Sequence, residues 1–294
     1  MITIDPKHTP TPDLHQYLLG AVAPRPIAFA STIDENGVAN LAPYSFFNAF
    51  SSNPPCLIFS SNRRGSNNTT KDTLHNVEVT GEVVINVVTY NIVRQVAVAS
   101  VEFPANVSEF EKSGLTPIPS ELVKPFRVKE SPVQMECRVK QIIPLGTEGG
   151  AGNLILCEVL LIHIDEKVLD ENNRINPHKI DLMGRMGRAY YVRASGEAVH
   201  TIVQPYLPLC IGYDQLPENI RNSKILTGNN LGQLAGLVSA PDKASIEALR
   251  DEAYIRAALQ SHAPLEELHR LAQKELSKEN TELAAQIAWL GAEL

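Results

Sequence analysis

Two long β-suitable runs in the middle of the chain place the strongest constraint on its fold. The first reads PVQMECRVKQIIPLG, the second reads GNLILCEVLLIHIDEKVLD, and the Gly-rich segment TEGGAG separates them. Both runs are rich in aliphatic and β-branched residues, and a short Gly-rich connection lets the second strand return antiparallel beside the first. The sequence therefore predicts a long β-hairpin, and the rest of the chain has to build a sheet around it.

Further strand signals lie upstream of this hairpin. PIAFASTID (residues 26–34) ends at an Asn-Gly pair, which tolerates positive φ, so a second strand is predicted to return from near Val38. PPCLIFSS and EVVINVVT (residues 82–89) are also strand candidates, and KDTLHNVEVTG between them predicts a short helix that ends at Gly81. YNIVRQVAVAS has helical spacing, and residues 104–132 predict a long ordered loop. Several hairpins in succession predict a closed β-barrel.

The last part of the chain differs in composition and periodicity. After about Gly212 it is rich in Ala, Leu, Glu, Lys and Arg with helical periodicity, and Pro264 divides this region. We therefore predict one domain over residues 1–212 and a helical extension over residues 213–294. If the segment after Pro264 is helical, one of its faces is apolar and comprises Leu265, Leu268, Leu271, Ala272 and Leu276. Trp289, the only tryptophan, lies in the last apolar patch of the chain. The helices could pack on the barrel, on a partner subunit, or form an interaction element.

Composition narrows the class of protein. The 294 residues carry 33 acidic and 26 basic side chains, a net charge of −7, which argues against a nucleic-acid or anionic-membrane binder. The four cysteines are dispersed without a CxxC pair, so no metal site is predicted and buried thiols in a reducing cytoplasm are expected. No secretory signal or membrane span is visible, and GxSxG, HExxH, EF-hand and GxGxxG motifs are missing. A cytoplasmic, soluble enzyme or binding protein is expected.

The stretch SSNRRGSNNTTKDT, residues 60–73, is a local cationic exception. It leads from a predicted strand ending at Ser60 into a helix whose first turn is Lys71, Asp72 and Thr73, with Arg63 and Arg64 between them. Helix N-terminal amides, hydroxyl donors and fixed cations together suit a phosphate dianion. The spacing is not that of a Walker loop. From the residues alone, a phosphate site and an exposed loop with a Thr or Asn helix cap are both open.

A resemblance supports the phosphate interpretation. The segment APRPIAFASTIDENGVANLAPYSFFNAFSSNPPCLIFSSNRRGSNNTTKDTLHNVEVTGEVVINVV resembles the core of the flavin reductase-like family, whose fold is the FMN-binding split β-barrel. EFEKSGLTPIPSELVKPFRVKESPVQMECRV and IDLMGRMGRAYYVR are similar to later family segments in order and spacing. The resemblance spans about residues 15–195 and implies a mainly β fold with α-helices, a split barrel followed by the helical extension. Relatives include flavoredoxins and the reductases of two-component monooxygenases.

The resemblance also implies where FMN binds. The flavin ring is expected beside NLAPYSFFNAFSSNPP, and the phosphate on residues 60–73, with Arg64, Lys71 and Thr73 preferred. A second expected approach is LMGRMGRAYY, where Arg188 stands at an expected glycine. The expected cofactor contacts are Asn40, Ser45, Phe46, Phe47, Asn48, Ser51, Ser60, Arg64, Lys71, Asp72, Thr73, Arg185 and Tyr190. Either phenylalanine could instead be a core residue.

The implied activity is reduction of flavin by NADH or NADPH, with FMN N5 accepting the hydride and a monooxygenase or electron-transfer protein as a partner. No catalytic side chain is identified; His163, in a predicted strand, is a weak candidate, because a lone strand histidine is more often structural. The alternatives are an FMN-containing electron carrier of the flavoredoxin type and a barrel-derived protein with little catalysis. The family also implies a homodimer.

Overall fold

The computed structural model describes residues 1–202 and 209–294. These residues group into two compact units, Met1–His200 and Thr201–Leu294. Residue 212, the boundary expected from composition, lies inside the second unit, because the Ile211 amide donates to the Leu237 carbonyl (2.8 Å) and the Gly212 amide to the Ala235 carbonyl (3.0 Å). Residues 203–208 of that boundary region lie outside the described part.

The first unit is built on one antiparallel sheet of seven strands in the order β2-β1-β5-β8-β9-β4-β3. Two two-stranded sheets, β10-β11 and β6-β7, accompany it. The strands are β1 (Ala28–Ile33), β2 (Ala39–Tyr44), β3 (Phe47–Ser52), β4 (Pro55–Ser60), β5 (Glu82–Val87), β6 (Pro117–Ile118), β7 (Arg127–Val128), β8 (Val133–Pro144), β9 (Asn153–Ile164), β10 (Leu182–Gly187) and β11 (Tyr190–Ala194).

Helices of both units are mostly short. They are α1 (Thr11–Ala21), α2 (Asp72–Thr80), α3 (Val93–Val98), α4 (Glu109–Ser113), α5 (Pro177–Ile180), α6 (Glu218–Arg221), α7 (Gly228–Ala235), α8 (Lys243–Ala248), α9 (Ala253–Leu259), α10 (Pro264–Leu276) and α11 (Thr281–Gly291), with 3-10 turns at Glu166–Val168, Gly196–Ala198, Tyr213–Gln215 and Leu249–Asp251. Across the described ranges, no helix has the length and apolar character needed to cross a bilayer.

The barrel is split rather than closed. The two edge strands of the sheet, β2 and β3, are consecutive in the chain, and only Ser45 and Phe46 connect them. The sheet edges therefore come together at a covalent link, while no β2–β3 ladder joins them among the described strands. This corrects the expectation of a closed ladder and confirms the split β-barrel.

The strongest sequence signals are confirmed. The β8–β9 hairpin pairs Val133 with Ile164 at one end and Pro144 with Asn153 at the other, and β1 pairs with β2 across the Asn-Gly turn. Helix α2 ends at Gly81, whose φ of 68° is the left-handed conformation that glycine adopts at low cost. Helix α1 and strands β3, β10 and β11 were not predicted from the sequence. The expected loop over residues 104–132 contains α4, β6 and β7.

Strand β1 is buried along its whole length. Ala28 and Ala30 join the barrel interior with Phe59 and Ile85, whereas Phe29 joins a second cluster beneath α3 and α4. A strand that is covered on both faces reads as continuously apolar. The run PIAFASTI is largely apolar, and its strength as a sequence signal follows from the burial of both faces of β1.

The helical unit has its own hydrophobic core. Leu268, Ala272 and Leu276 on α10 are buried together with Ile287 and Leu290 on α11, and Trp289 packs half-buried against the same cluster. The amphipathic face predicted after Pro264 is therefore covered by neighbouring helices of its own unit. Stability from such mutual burial needs no contact outside the unit.

Candidate functional site

A cleft lies at the N-terminus of α2. Its lining includes Asn40 and Tyr44 from β2, Arg64 from the following loop, and Lys71 and Thr73. Lys71 occupies the N-cap position in an extended conformation and makes no side-chain capping hydrogen bond in the described structure. The alternative of a Thr or Asn cap is therefore wrong. The first amides of α2 are left without a side-chain acceptor, which is the arrangement that attracts an anion.

The structure distinguishes the two arginines of this loop. Arg64 lines the cleft, where its Nη1 donates to the Thr69 hydroxyl (3.1 Å) and to the Thr70 carbonyl. The side chain is only 17% exposed, and its Nε lies 2.9 Å from Glu102 Oε1. Arg63 instead binds the side chain of Asn68, 2.6 Å from Nε to Oδ1, within its own loop. Arg64 is thus the guanidinium that an anion in the cleft would meet.

Lys71 adds a second positive charge. Its Nζ lies 5.4 Å from the centroid of the Tyr44 ring, within the range of a cation–π contact. Partial burial lowers the pKa of Lys71, and the nearby carboxylate of Glu102 opposes that shift. The cleft therefore combines two cations with one helix terminus.

A hydroxyl and amide network fixes α2 against the sheet. Asn40 Nδ2 donates to Thr73 Oγ1 (2.9 Å) and to Thr32 Oγ1 (3.2 Å), and Asn76 Nδ2 donates to the same Thr32 oxygen (3.1 Å). Thr73 Oγ1 accepts from Asn40, which leaves the hydroxyl proton of Thr73 to be donated elsewhere. Asn40 thus positions Thr73 as a donor at the first turn of α2.

Two buried hydroxyls next to this network lack partners. Tyr44 Oη and Ser61 Oγ have no hydrogen bond of good geometry among the described residues, although Tyr44 is 5% and Ser61 1% exposed; the hydroxyls of Thr73 and Ser61 lie near enough to Tyr44 to act on its pKa. Burial raises the pKa of the Tyr44 hydroxyl, so it stays a neutral donor. Buried polar groups without partners are costly and rare in proteins. Their presence beside the cleft fits a polyanionic ligand that would offer acceptor oxygens.

The segment expected beside the flavin ring begins with residues of β2 that line the cleft, among them Asn40 and Tyr44, and continues to a backbone contact with the end of β4. The Ser60 amide donates to the Phe46 carbonyl (2.9 Å), and Phe47 pairs with Phe59 across β3 and β4. Phe47 is half-buried against the barrel interior, so it also serves the core. Phe46 meets His15 edge to face, 6.2 Å between ring centroids.

The remaining polar residues expected to contact the flavin ring or its phosphate differ in whether their side chains are free to bind a ligand. Asn48 and Ser51 are exposed on the edge strand β3. The Ser60 hydroxyl already donates to Asn62 Oδ1 (2.9 Å). Asp72 is the first residue of α2, where its carboxylate complements the helix dipole.

Arg25 is a residue of this region that the sequence analysis missed. It is 4% exposed, its Nη1 donates to the Leu19 and Val22 carbonyls (2.6 Å each), and its Nε lies 3.4 Å from Ser45 Oγ. Burial lowers the pKa of Arg25, and the neighbouring guanidinium of Arg185 adds to the effect. The signal in the sequence was an arginine enclosed by two prolines directly before the most buried strand.

Comparisons with known proteins bear on the same region. A model of the family described as "Flavin reductase like domain" matches residues 20–188. This chain belongs to the flavin reductase-like family. An uncharacterized protein from Aquifex aeolicus (strain VF5) is 42% identical over 191 residues, which are 65% of this chain and 95% of that protein.

Solved structures agree with the family assignment. Nitrilotriacetate monooxygenase component B from Bacillus cereus is 32% identical, with a TM-score of 0.64 over 68% of this chain and 98% of that one. The 2-nitrobenzoate 2-nitroreductase of Pseudomonas fluorescens is 26% identical, with a TM-score of 0.61 over 71% and 99%. Flavoredoxin of Desulfovibrio vulgaris (Miyazaki F), at 21% identity and a TM-score of 0.52 over 61% and 91%, shares the fold.

Two other expected site residues of this flavin reductase-like chain lie on the β10–β11 hairpin. Arg185 exchanges backbone hydrogen bonds with Arg25 (2.9 Å each) and stacks on Tyr191, 4.6 Å to the ring centroid. Tyr190 is 69% exposed. Arg188, at the position expected to be glycine, has a φ of 47°, a conformation that a side chain disfavours. The backbone there keeps a glycine-like turn.

His163 lies elsewhere. Its Nε2 is 2.7 Å from Oε1 of Glu136, a residue with no exposed surface. It lines a separate cavity of about 250 Å³ with Lys129, Gln134 and Asp165. None of the cleft residues at the α2 terminus lines that cavity, so the structure does not bring His163 together with the other expected site residues.

Proposed function

We propose that this flavin reductase-like protein binds FMN and reduces it with NADH or NADPH. The observation that carries the proposal is the cleft in which the α2 N-terminus, Arg64, Lys71 and Thr73 converge. Tyr44 also lines this cleft and leads along the chain into the Phe46 segment. When bound, FMN would supply a two-electron acceptor for a hydride from the nicotinamide. The chain's own residues would bind, orient and shield it.

The phosphate end of FMN would be held at the cleft. Arg64 and Lys71 supply positive charge, the Thr73 hydroxyl supplies a donor, and the α2 amides supply the positive end of a helix dipole. The unpartnered Tyr44 hydroxyl supports the same assignment, since an added acceptor would satisfy it.

The ring would lie along the β2–β3 connection, where Ser45 and Asn48 offer polar atoms and Phe46 an aromatic face. Arg25 would act as a positioning residue, because its contact with Ser45 ties the connection to α1 and β10. Hydride transfer needs proximity and exclusion of water rather than a protein base. The proposal therefore assigns no catalytic role to His163.

The deciding experiment is an anaerobic titration of the purified chain. FMN is added first and its visible spectrum recorded, and NADH or NADPH then follows. Binding with loss of the oxidised flavin band on addition of either nucleotide supports a reductase. Tight FMN binding without loss of the band on addition of either nucleotide favours the flavoredoxin-type carrier. Absence of flavin binding would overturn both and leave the barrel-derived alternative.

The phosphate assignment has a matched pair of variants. Arg64→Ala is expected to weaken FMN by about 1.5–3 kcal/mol, the scale of a charge-assisted hydrogen bond, and to leave riboflavin affinity almost unchanged. Arg63→Ala removes the same charge from a side chain that binds Asn68 instead, so its effect on FMN should be small. Fluorescence titration of both flavins measures the difference. Equal losses in the two variants would contradict the assignment.

Assembly and context belong to the same proposal. Helix α1 contributes no buried residue, and Leu18 (49%), Phe50 (64%) and Tyr190 (69%) expose large apolar side chains within the first unit. We propose that a homodimer covers part of this surface, to be tested by light scattering.

We also propose a cytoplasmic location, since all four cysteines are free thiols. The proposed partner is a monooxygenase or an electron-transfer protein that takes electrons from the flavin.

A further inference from the structure

The charge balance of the α2 cleft is unusual for a phosphate site. Its lining includes two cations, Arg64 and Lys71, and three carboxylates, Asp72, Glu102 and Glu109. Like charges disfavour an incoming dianion, and the effect grows where the site is shielded from water. The cleft therefore contains groups that favour a phosphate and groups that oppose it.

The three carboxylates are held differently. Glu109 is buried and accepts the Leu41 amide (2.9 Å), and burial raises its pKa. Asp72 is fixed in the first turn of α2. Glu102 is 63% exposed, and its only contact of hydrogen-bond length within the described ranges is the one from Arg64 Nε.

We propose that Glu102 competes with the flavin phosphate for Arg64 and thereby keeps FMN exchangeable. This inference rests on the proposed function. The Glu102 carboxylate lies 2.9 Å from Arg64 Nε, so it occupies the edge of the guanidinium that a second oxyanion would use. Lys71 lines the same cleft as Glu102, and the Glu102 carboxylate opposes the lowering of the Lys71 pKa that burial causes.

The energetics allow exchange. A pair with one largely exposed partner contributes little, so a phosphate with nearly two charges can displace Glu102 from Arg64. The displaced carboxylate stays close, and its repulsion speeds flavin departure. A flavin that leaves after reduction is what delivery to a partner protein requires, whereas a permanently bound flavin needs no such competitor.

The test compares flavins in three variants of the full chain. Glu102→Gln is expected to tighten FMN by about 3- to 10-fold and to slow its dissociation by a similar factor, with riboflavin affinity unchanged. Glu35→Gln, in the exposed β1–β2 turn, removes the same charge away from the cleft and should change neither flavin. The gain in Glu102→Gln should shrink as salt is raised. Arg64→Ala reports whether the phosphate reaches the cleft at all.

The outcomes separate the two proposals. If Arg64→Ala weakens FMN but Glu102→Gln leaves it unchanged, or tightens riboflavin equally, the role of Glu102 is overturned and the proposed function stands. If Glu35→Gln tightens FMN as much as Glu102→Gln, the effect is one of net charge and the role of Glu102 is also overturned. If the parent chain binds no flavin, the proposed function fails and the inference fails with it.

Discussion

The barrel unit and the helical unit bury different kinds of side chain. Of the sixteen buried polar or charged residues in the described chain, fifteen lie in the barrel unit and only His269 lies in the helical unit. Buried polar groups cost free energy unless they are paired, so they persist where they position a site or fix a loop. The barrel unit carries Arg25, Glu109 and Glu136 in this way. The helical unit is built almost entirely from aliphatic packing.

The similarity to known proteins is likewise concentrated in the barrel unit. The matched protein from Aquifex aeolicus is covered over 95% of its length by 65% of this chain, and the family match, residues 20–188, falls within the barrel unit. Every residue of the candidate site also lies in that unit. The candidate site and the helical unit therefore occupy separate parts of the sequence. The variants below test whether changes in the stability of one unit leave the stability and flavin affinity of the other unchanged.

The largest effect is expected from a cavity in the helical core. Leu268 has no exposed surface, and Leu268→Ala should lower the free energy of unfolding of the helical unit by about 2–5 kcal/mol. Trp289, the only tryptophan, packs against this core, so its fluorescence in denaturant reports the change. Val238→Ala, at an exposed position, serves as the control. A matching loss of FMN affinity in Leu268→Ala would break the separation of the two units.

A polar change in the barrel unit should cost somewhat less. Glu136 accepts the amides of Glu121 (2.9 Å) and Leu122 (2.6 Å) as well as His163, and Glu136→Gln would turn an amide group toward these donors. We expect a loss of about 2–4 kcal/mol in barrel stability. Glu158→Gln on the neighbouring strand removes only a surface pair with Lys140 and provides the control. Equal stability of these two variants in denaturant would show that the buried carboxylate is not needed.

Acid should weaken the helical unit before the barrel unit. Burial lowers the pKa of His269, so below about pH 6.5 the unfolded chain binds the extra proton and stability falls by at most about 1.4 kcal/mol per pH unit. For Glu136, burial alone raises the pKa, but hydrogen bonds from Glu121, Leu122 and His163 outweigh it and lower the pKa below its ordinary value. Its contribution is therefore lost only below about pH 4.3.

Two signals follow this acid titration separately, Trp289 fluorescence for the helical unit and bound-flavin absorbance for the barrel unit. His269→Leu should remove the dependence near pH 6.5 without moving the flavin signal. A single coincident transition of both signals in the parent protein would contradict the prediction.

The smallest effect is expected on flavin affinity when the helical unit is removed. A chain that ends at His200 retains every candidate site residue, so its free energy of FMN binding should stay within about 0.5 kcal/mol of the parent value. Fluorescence titration measures it, and NADH and NADPH kinetics on the same sample test whether the helices restrict the nicotinamide. Altered kinetics at constant FMN affinity would assign a gating role to the helical unit, and unchanged kinetics would remove it.

The sequence by itself determined the elements that are specified by residues close together in the chain. The aliphatic runs of β8 and β9 with their Gly-rich connection, the Asn-Gly turn after β1 and the glycine that ends α2 each depend on neighbours in the chain, and all three are present in the structure. The resemblance to the family supplied the split barrel and the expected contacts. Strand β3 escaped prediction because its side chains at the sheet edge are mostly exposed and lack a regular apolar alternation.

Only the tertiary structure decided which charges meet. The sequence presents Arg63 and Arg64 as equals, but the fold turns one toward Asn68 and the other into the cleft. Glu102 reaches Arg64 across 38 residues, and Glu136 meets His163 across 27. Periodicity reports which residues are buried, because burial depends on the local repeat of helix or strand. Pairing between distant side chains depends on how the sheet and its loops are placed in space, and no local pattern records it.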